Sequence, residues 1–228
     1  MFYNVNDLHY SKRGVFEFKN SKYFNLHIAI NGGMKKLKPT REEAWKLLNE
    51  YNKSDALLKH GLAVEGVMRH FAEINGEDTE KWGIIGLLHD LDYEMYHDKH
   101  CVKTAEIMRE NDIDEDYIHA VCSHGWGLCC DVEPVEKMEK VLYTVDELTG
   151  LINAACLMRP SKSILDIEVK SVKKKFKSNG FAAGVNREVI QKGCDMIGMS
   201  LDDVIKETIE GMKSCADAIG LRGNISEE

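Results

Sequence analysis

Apolar and polar residues follow a helical period along most of the chain. In residues 54–75, the apolar positions recur every three or four residues, as on one face of an α-helix. These positions are Leu57, Leu58, Leu62, Val67, Phe71 and Ile74. Residues 80–91 are almost wholly apolar between Ile84 and Leu88, which is typical of a helix at the centre of a core. Similar patterns predict further helices at 100–111, 114–124, 134–157, 162–177, 186–197 and 200–219.

Polar residues at the predicted helix starts support this assignment. Thr40 followed by Glu43 has the pattern of a capping box and predicts a helix start. Asn186 and Ser200 stand at N-cap positions, and Asp203 follows Ser200 by three residues. We therefore predict an all-α fold, a compact helical bundle, for residues 39–222.

The N-terminal segment differs from the rest of the chain. Residues 1–33 hold seven of the 18 aromatic residues and show no helical period. Four basic and two acidic residues give this segment a charge of +2, whereas the remainder carries −10. We predict a short non-helical or hairpin extension over residues 1–38. A dimerisation arm and a segment that is not native to the functional protein are both open alternatives.

Composition narrows the class of protein. The net charge of −8 argues against general nucleic-acid binding. The chain has neither a continuous apolar run of the ~18 residues that a membrane span needs nor the apolar core of a secretory signal. Seven cysteines without a CxxC pair indicate reduced, mostly structural thiols in a cytoplasmic protein, and disfavour a zinc finger.

Candidate chemistry begins where the apolar run of residues 84–88 ends. His89 and Asp90 follow that run directly, and His97 and His100 lie within the next ten residues. Imidazole nitrogen with carboxylate oxygen suits Mn, Fe, Co, Ni or Zn. Neighbouring residues in a helix point ~100° apart. His89 and Asp90 can therefore bind one ion only if it lies between their two directions, near the end of a helix. A buried hydrogen-bonded pair is the alternative interpretation of this dipeptide.

Three other residues could complete a metal site. Asp146 interrupts a strongly apolar helix, where a carboxylate is costly unless it is paired or bound to metal. His60 lies beside the apolar stripe of its helix, and His124 follows an apolar helix end next to glycine. Glu147 is expected to be the solvated neighbour of Asp146.

The order His60, His89-Asp90, His124 and Asp146 in a helical chain resembles the HD superfamily of metal-dependent phosphohydrolases. More narrowly, the chain resembles the HDIG-type group of small predicted hydrolases. The resemblance covers roughly residues 40 to 220 and includes the phrases LLKHGLAVE, GLLHDLDYE, VDELTGLI and FAAGVNREVI.

The resemblance implies a divalent metal ion (Mn, Fe, Co, Ni, Zn or Mg) held by His60, His89, Asp90 and Asp146. His100 and His124 match the positions that hold a second ion in two-metal relatives, with Asp90 as the bridge. One ion is expected, and the second is an open question because Gly125 follows His124 where such relatives often have a histidine. His97 is then expected to be an exposed loop residue.

The expected mechanism is attack of metal-activated water on phosphorus, with Asp90 orienting that water. Asp92 and Glu94 are candidate proton acceptors or partners of the ligands, and solvated loop acids are the equal alternative. Residues 159–177 carry a charge of +5 in an otherwise acidic chain. Arg159, Lys162 and Lys174 from this segment are the candidate contacts to a phosphorylated substrate.

The leading hypothesis is a metal-dependent phosphohydrolase that acts on a small phosphate ester, a nucleotide or related metabolite. A di-iron oxygenase of the same fold and a non-catalytic module that binds a nucleotide or a partner are the alternatives. No membrane partner and no general nucleic-acid partner are expected, and an oligomer is open.

Overall fold

The computed structural model of the chain describes residues 8–10, 16–18, 37–178 and 180–224. The chain divides into two compact units, Met1–Lys35 and Lys36–Glu228. In the first unit, strand β1 (Leu8–Tyr10) pairs antiparallel with strand β2 (Phe16–Phe18). The predicted hairpin or non-helical extension agrees with this pairing. The rest of the predicted extension up to residue 36 lies outside the described residues, so its suggested roles stay predictions.

The second unit is a bundle of helices, and the predicted all-α class is confirmed for it. In chain order, the helices are α1 (Arg41–Tyr51), α2 (Asp55–Asn75), α3 (Thr79–Leu88), α4 (Tyr93–Tyr96), α5 (Val102–Glu110), α6 (Glu115–Cys122), α7 (Lys137–Leu157), α8 (Val169–Phe176), α9 (Arg187–Ile197) and α10 (Leu201–Ser214). Short 3-10 helices cover His97–Lys99 and Ser123–Gly125. No helix within the described ranges has the length and apolarity to cross a membrane.

The predicted helix starts are confirmed. The Thr40 hydroxyl accepts the Glu43 N–H, and the Glu43 carboxylate accepts the Thr40 N–H, which completes the capping box of α1. Asn186 caps α9 with its side-chain oxygen, and the Ser200 hydroxyl accepts the Asp203 N–H at the start of α10. These side chains satisfy N–H groups that have no partner within the helix.

Two helices are clearly shorter than predicted: α10 ends at Ser214 and not at residue 219, and α8 starts late. The pattern predicts a helix at 162–177, but α8 begins only at Val169. The preceding segment is held by the end of the chain, because Ile164 N–H donates to Leu221 O and the Ser163 hydroxyl donates to Arg222 O. Hydrogen bonds to a distant segment thus replace the helical ones, and the local pattern carries no sign of them.

The core lies around α2, which packs against α3, α7 and α10. Every residue of α3 from Trp82 to Leu88 is buried, as its continuous apolar run predicts. Fully buried side chains include Met68 and Phe71 of α2 and Leu142 and Leu148 of α7. Burial of each such side chain stabilises the fold by about 1.5–3 kcal/mol. The core therefore holds the long helices rigidly at the point where α3 ends.

Candidate metal centre

Six side chains from separate parts of the fold meet beside the end of α3. They are His60 in α2, His89 at the C-cap of α3, Asp90 in the turn that follows, His100 before α5, His124 in the 3-10 helix after α6, and Asp146 in α7. The expected position of the His-Asp pair at a helix end is thus confirmed. The buried Asn52 steadies the turn, because its side-chain N–H donates to Leu91 O at 2.8 Å.

The first group in this cluster contains His60, His89, Asp90 and Asp146. His60 Nε2 lies 2.9 Å from Asp146 Oδ1 and 3.2 Å from His89 Nε2. His89 Nε2 lies 3.3 Å from both Asp90 Oδ2 and Asp146 Oδ1. Ligands bound at 2.0–2.1 Å around one ion are separated by about 3.0–3.4 Å. The four distances given are close to this spacing, whereas His60 Nε2 and Asp90 Oδ2, at 3.8 Å, lie farther apart.

The second group contains His100, His124 and the other oxygen of Asp90. His100 Nε2 lies 3.0 Å from His124 Nε2 and 3.4 Å from Asp90 Oδ1. Asp90 Oδ1 is also 3.7 Å from His124 Nε2. Because Asp90 Oδ2 faces the first group and Oδ1 faces the second, this carboxylate is placed to bridge two ions.

Hydrogen bonds at the far side of the rings determine which nitrogens face the cluster. His89 Nδ1 donates to Gly86 O at 2.7 Å, and His124 Nδ1 donates to Val121 O at 2.6 Å. A carbonyl can only accept, so each Nδ1 carries the hydrogen and each ring, when it is neutral, turns the lone pair of Nε2 inward. Lone pairs that converge in this way repel one another unless a cation lies between them. The donor set therefore fits a borderline transition metal ion.

The charges in the cluster favour a cation as well. The His89 side chain is fully buried, which opposes its protonation, yet the carboxylates of Asp90 and Asp146 raise its pKa well above the ordinary value. Burial alone would raise the pKa of the Asp146 carboxyl, but His89 and the hydrogen bond to His60 hold it well below its usual range. These carboxylates thus stay ionised and attract positive charge at this position.

The cluster opens into a cavity of about 490 Å3. His60, Asp90, His100, His124 and Asp146 line one part of it. The remaining wall comprises Leu57, Tyr93, His97, Gly125, Leu128, Cys129, Glu147, Gly150, Gly184 and Val185. A separate cavity of about 540 Å3 around Trp82 and Glu139 contains none of the predicted ligands. The first cavity therefore gives access to most of the cluster, and His60 also borders a smaller cavity of about 230 Å3.

Asp92 and Glu94, the two candidate proton acceptors, have different surroundings. Asp92 is fully buried, and it accepts hydrogen bonds from His100 Nδ1 at 2.6 Å and from Thr104 N–H at 2.8 Å. Glu94 is exposed, and its carboxylate accepts the N–H groups of Lys53 and Ser54 at the start of α2. Asp92 is thus the partner of a predicted ligand, whereas Glu94 caps a helix and lies outside the cavity wall.

One residue of the wall, Glu147, differs from expectation. Glu147 was expected to be solvated, but it is half-buried in the cavity wall and accepts the Asn186 N–H at 3.0 Å. The expectation is wrong because α7 buries the face next to Asp146 under the segment that precedes α9. His97 is exposed as expected, and it also lines the cavity with its ring 4.7 Å from that of Tyr93.

The sequence reasoning did not identify Leu128, Cys129, Gly184 or Val185 as residues of the wall. A signal for the last two was present, since both belong to the phrase FAAGVNREVI that contributes to the resemblance. Leu128 and Cys129 carry no local signal, because only the turn after His124 brings them to the cavity.

The basic candidates lie elsewhere. Arg159 and Lys174 line a different cavity of about 390 Å3, where the Arg159 guanidinium donates to the Asp166 carboxylate at 2.8 Å. Lys162 lies in the turn after α7, and its N–H donates to Arg159 O. None of the three is in the cavity wall around the histidines. This placement gives no support to their predicted contact with substrate.

Comparison with known proteins agrees with the geometry. Residues 57–128 match the family model of the HD domain. Proteins with this domain are in general metal-dependent phosphohydrolases that bind divalent ions. The matched range includes five of the six clustered residues, and Asp146 joins them from α7 beyond it. No solved structure matches the chain. The narrower resemblance to the HDIG-type group stays a prediction.

Proposed function

We propose that this chain, a member of the HD superfamily through its residues 57–128, is a metal-dependent phosphohydrolase that acts on a small phosphate ester, a nucleotide or related metabolite. The observation that carries the proposal is the convergence of four Nε2 atoms and two carboxylates on one wall of an accessible cavity. In this proposal, His60, His89, Asp90 and Asp146 hold one ion. His100, His124 and the second oxygen of Asp90 hold another.

The chemistry of phosphate ester cleavage suits such a centre. When bound, divalent ions supply positive charge that activates a coordinated water and neutralises the phosphoryl oxygens. The protein's part is to keep the ligand atoms in place. The buried Asp92 does this for His100, since it accepts the Nδ1 hydrogen and turns Nε2 toward Asp90.

The cavity wall supports a small substrate with an apolar portion. Leu57, Leu128 and Val185 form apolar parts of the wall, and Tyr93 and His97 supply ring faces and polar edges. Neither lysine nor arginine contributes to the described wall of this cavity. The ions would therefore balance the charge of the phosphate, and the wall would contact the rest of the ester.

The test is metal content, measured by mass spectrometry on untagged protein, combined with phosphate release from a panel of small phosphate esters. We expect two ions per wild-type chain and one in His100→Ala. Loss of a residue that only orients a metal ligand typically costs roughly 10–100-fold in activity. His60 is itself a proposed ligand, so His60→Ala should reduce phosphate release by more than this. His119→Ala is the matched control, because it removes a histidine that lines a separate cavity and lies outside the ligand set.

Three results would contradict the proposal or part of it. No bound ion after supplementation would exclude the metal centre. One ion in both wild type and His100→Ala would exclude the second group as a ligand set. Bound metal without phosphate release from any ester would favour the non-catalytic binding module.

A further inference from the structure

Three cysteine thiols converge next to the second histidine pair. The Sγ atoms of Cys101, Cys129 and Cys130 all lie within 4.8 Å of one another. Cys129 Sγ is 3.4 Å from Cys101 Sγ, although the two residues are 28 positions apart in the chain. Cys101 is buried, Cys130 is half-buried and Cys129 is exposed. The cluster thus extends from the core to the surface of the cavity, which Cys129 lines.

A tight turn after His124 brings two of these thiols together. The carbonyl of Gly125 accepts the N–H groups of Leu128, Cys129 and Cys130 at 3.0, 3.0 and 3.2 Å. Gly127 has a φ of +72°, a left-handed conformation that glycine adopts without strain. Because one carbonyl accepts all three N–H groups, the chain turns tightly around Gly125. The side chains of Cys129 and Cys130 therefore point toward the same side of this turn.

The space for the sulfurs exists because residue 125 is glycine. A Cβ atom at this position would lie 2.5 Å from Cys129 Sγ, 2.7 Å from Cys101 Sγ and 3.4 Å from Cys130 Sγ. The first two distances are shorter than any real contact of a methyl group. All three sulfur atoms therefore lie beside the Gly125 Cα atom, on the side where any other residue would carry its side chain.

Cys101 reaches this point through an unusual backbone. Its φ of +65° is rare for a residue with a side chain, and such conformations persist only where the surrounding structure imposes them. Here, its carbonyl accepts Ala105 N–H at 3.0 Å and the Cys122 thiol at 3.4 Å. Cys101 is the N-cap residue of α5, so the start of this helix fixes its position next to the turn after His124.

We propose that Cys101, Cys129 and Cys130 form a thiolate site for a thiophilic cation, Zn2+ or Cu+, separate from the histidine and carboxylate centre. Sulfur ligands at 2.3 Å from a tetrahedral ion are about 3.8 Å apart, which small side-chain rotations reach from the observed distances. Thiolates select these soft ions over the harder ions that suit carboxylates. The exposed side of Cys129 provides the entry path. This inference does not depend on the proposed phosphohydrolase activity.

A competing arrangement is present in the same region. Cys101 Sγ also lies within 4.8 Å of ring nitrogens of His100 and His124, so it could join the second histidine pair. That arrangement needs one thiolate, whereas the proposed site needs three. The number of sulfur atoms on the ion therefore separates the two.

The experiment is a cadmium titration of the reduced full chain, followed by the ultraviolet charge-transfer band that arises only from sulfur on the metal. We expect the wild-type band to saturate with the intensity of three thiolates on one ion. Cys129→Ser and Cys130→Ser should each weaken binding at least about 10-fold, and the double variant should lose the band. Cys215→Ser is the matched control for loss of a thiol. His60→Ala should keep the band, because it alters only the first group of the histidine centre.

Thiol protection gives a second readout that needs no variant. One equivalent of cadmium should protect Cys129 and Cys130 from iodoacetamide, as read by peptide mass spectrometry, while Cys215 alkylates as before. The inference is overturned if the double variant retains a band of one thiolate, since Cys101 would then belong to the histidine centre. An absent band or unchanged alkylation would overturn it as well.

Discussion

At the scale of single residues, the structure separates acids that the sequence presents as equivalent. Asp92 and Glu94 stand two positions apart just after the His-Asp pair, and both were candidates for proton transfer. Asp92 faces inward and holds the His100 ring, whereas Glu94 faces the start of α2. The direction of each side chain depends on how the turn after α3 packs against its neighbours. Composition and spacing contain no information on that packing.

This difference leads to a paired prediction. In the wild type, the Thr104 N–H and the His100 Nδ1 hydrogen both donate to the Asp92 carboxylate. In Asp92→Asn, the side-chain N–H group therefore faces one of these two donors, and one hydrogen bond is lost. We expect the affinity of the second ion to fall by roughly 10–100-fold, as measured by calorimetric titration. Glu94→Gln should leave that affinity unchanged. Equal effects of the two substitutions would show that Asp92 has no special role in orienting His100.

At the scale of helices, the position of the predicted metal ligand His60 depends on how closely the backbone of its helix approaches that of a neighbouring helix. The helix α2, which carries His60, crosses α10 where Gly66 faces Gly211. A Cβ atom on Gly211 would lie 2.6 Å from Val67 Cα, which is backbone and cannot rotate away. In the sequence, Gly211 appears only as a break in an amphipathic helix. Its role comes from contact with a helix more than a hundred residues earlier.

We therefore predict that Gly211→Ala lowers the free energy of unfolding by about 1–3 kcal/mol through overpacking. Gly150→Ala is the matched control, because Gly150 is also in a helix but its added Cβ would meet no atom within 4 Å. That control should be neutral or stabilising by up to about 1 kcal/mol, from helix propensity alone. Urea unfolding of both variants measures the difference. Similar values for the two would contradict the close crossing.

At the scale of the whole molecule, the metal centre joins parts of the chain that are far apart in sequence. His60 and Asp146 are 86 residues apart and meet at 2.9 Å. A ligand set drawn from α2, the end of α3, the segment before α5, the 3-10 helix after α6, and α7 exists only in the folded chain. Binding of ions should therefore stabilise the folded state as a whole, since the unfolded chain does not offer such a site.

The expected result is a lower melting temperature after chelation. One ion at 100 times its Kd adds about 2.7 kcal/mol, and 1 kcal/mol shifts the melting temperature by roughly 2–4 °C in a chain of this size. Protein treated with EDTA should thus melt at least about 5 °C lower than protein loaded with Mn2+. The shift should be smaller in His60→Ala and should persist in Cys130→Ser. A melting temperature insensitive to chelation would contradict a metal centre that links these helices.

Several features of this protein follow from the sequence alone. The helical period along the chain, the capping residues Thr40, Asn186 and Ser200, and the buried run of α3 all predict the observed helices. These features act between residues a few positions apart, and the hydrogen bonds of a helix span only four residues. The position of histidines and carboxylates beside apolar residues made His60, His89-Asp90, His124 and Asp146 candidates. The full set, with His100, followed only from the resemblance to the HD superfamily.

Other features are decided only by the tertiary structure. These are the late start of α8, the position of Glu147 in the cavity wall, the separation of Arg159 and Lys174 from the histidines, and the convergence of the three thiols on Gly125. Each depends on contacts between segments that are distant in the chain. Such contacts depend on how the helices pack and how the turns close. The local periodicity of the sequence does not determine either of these.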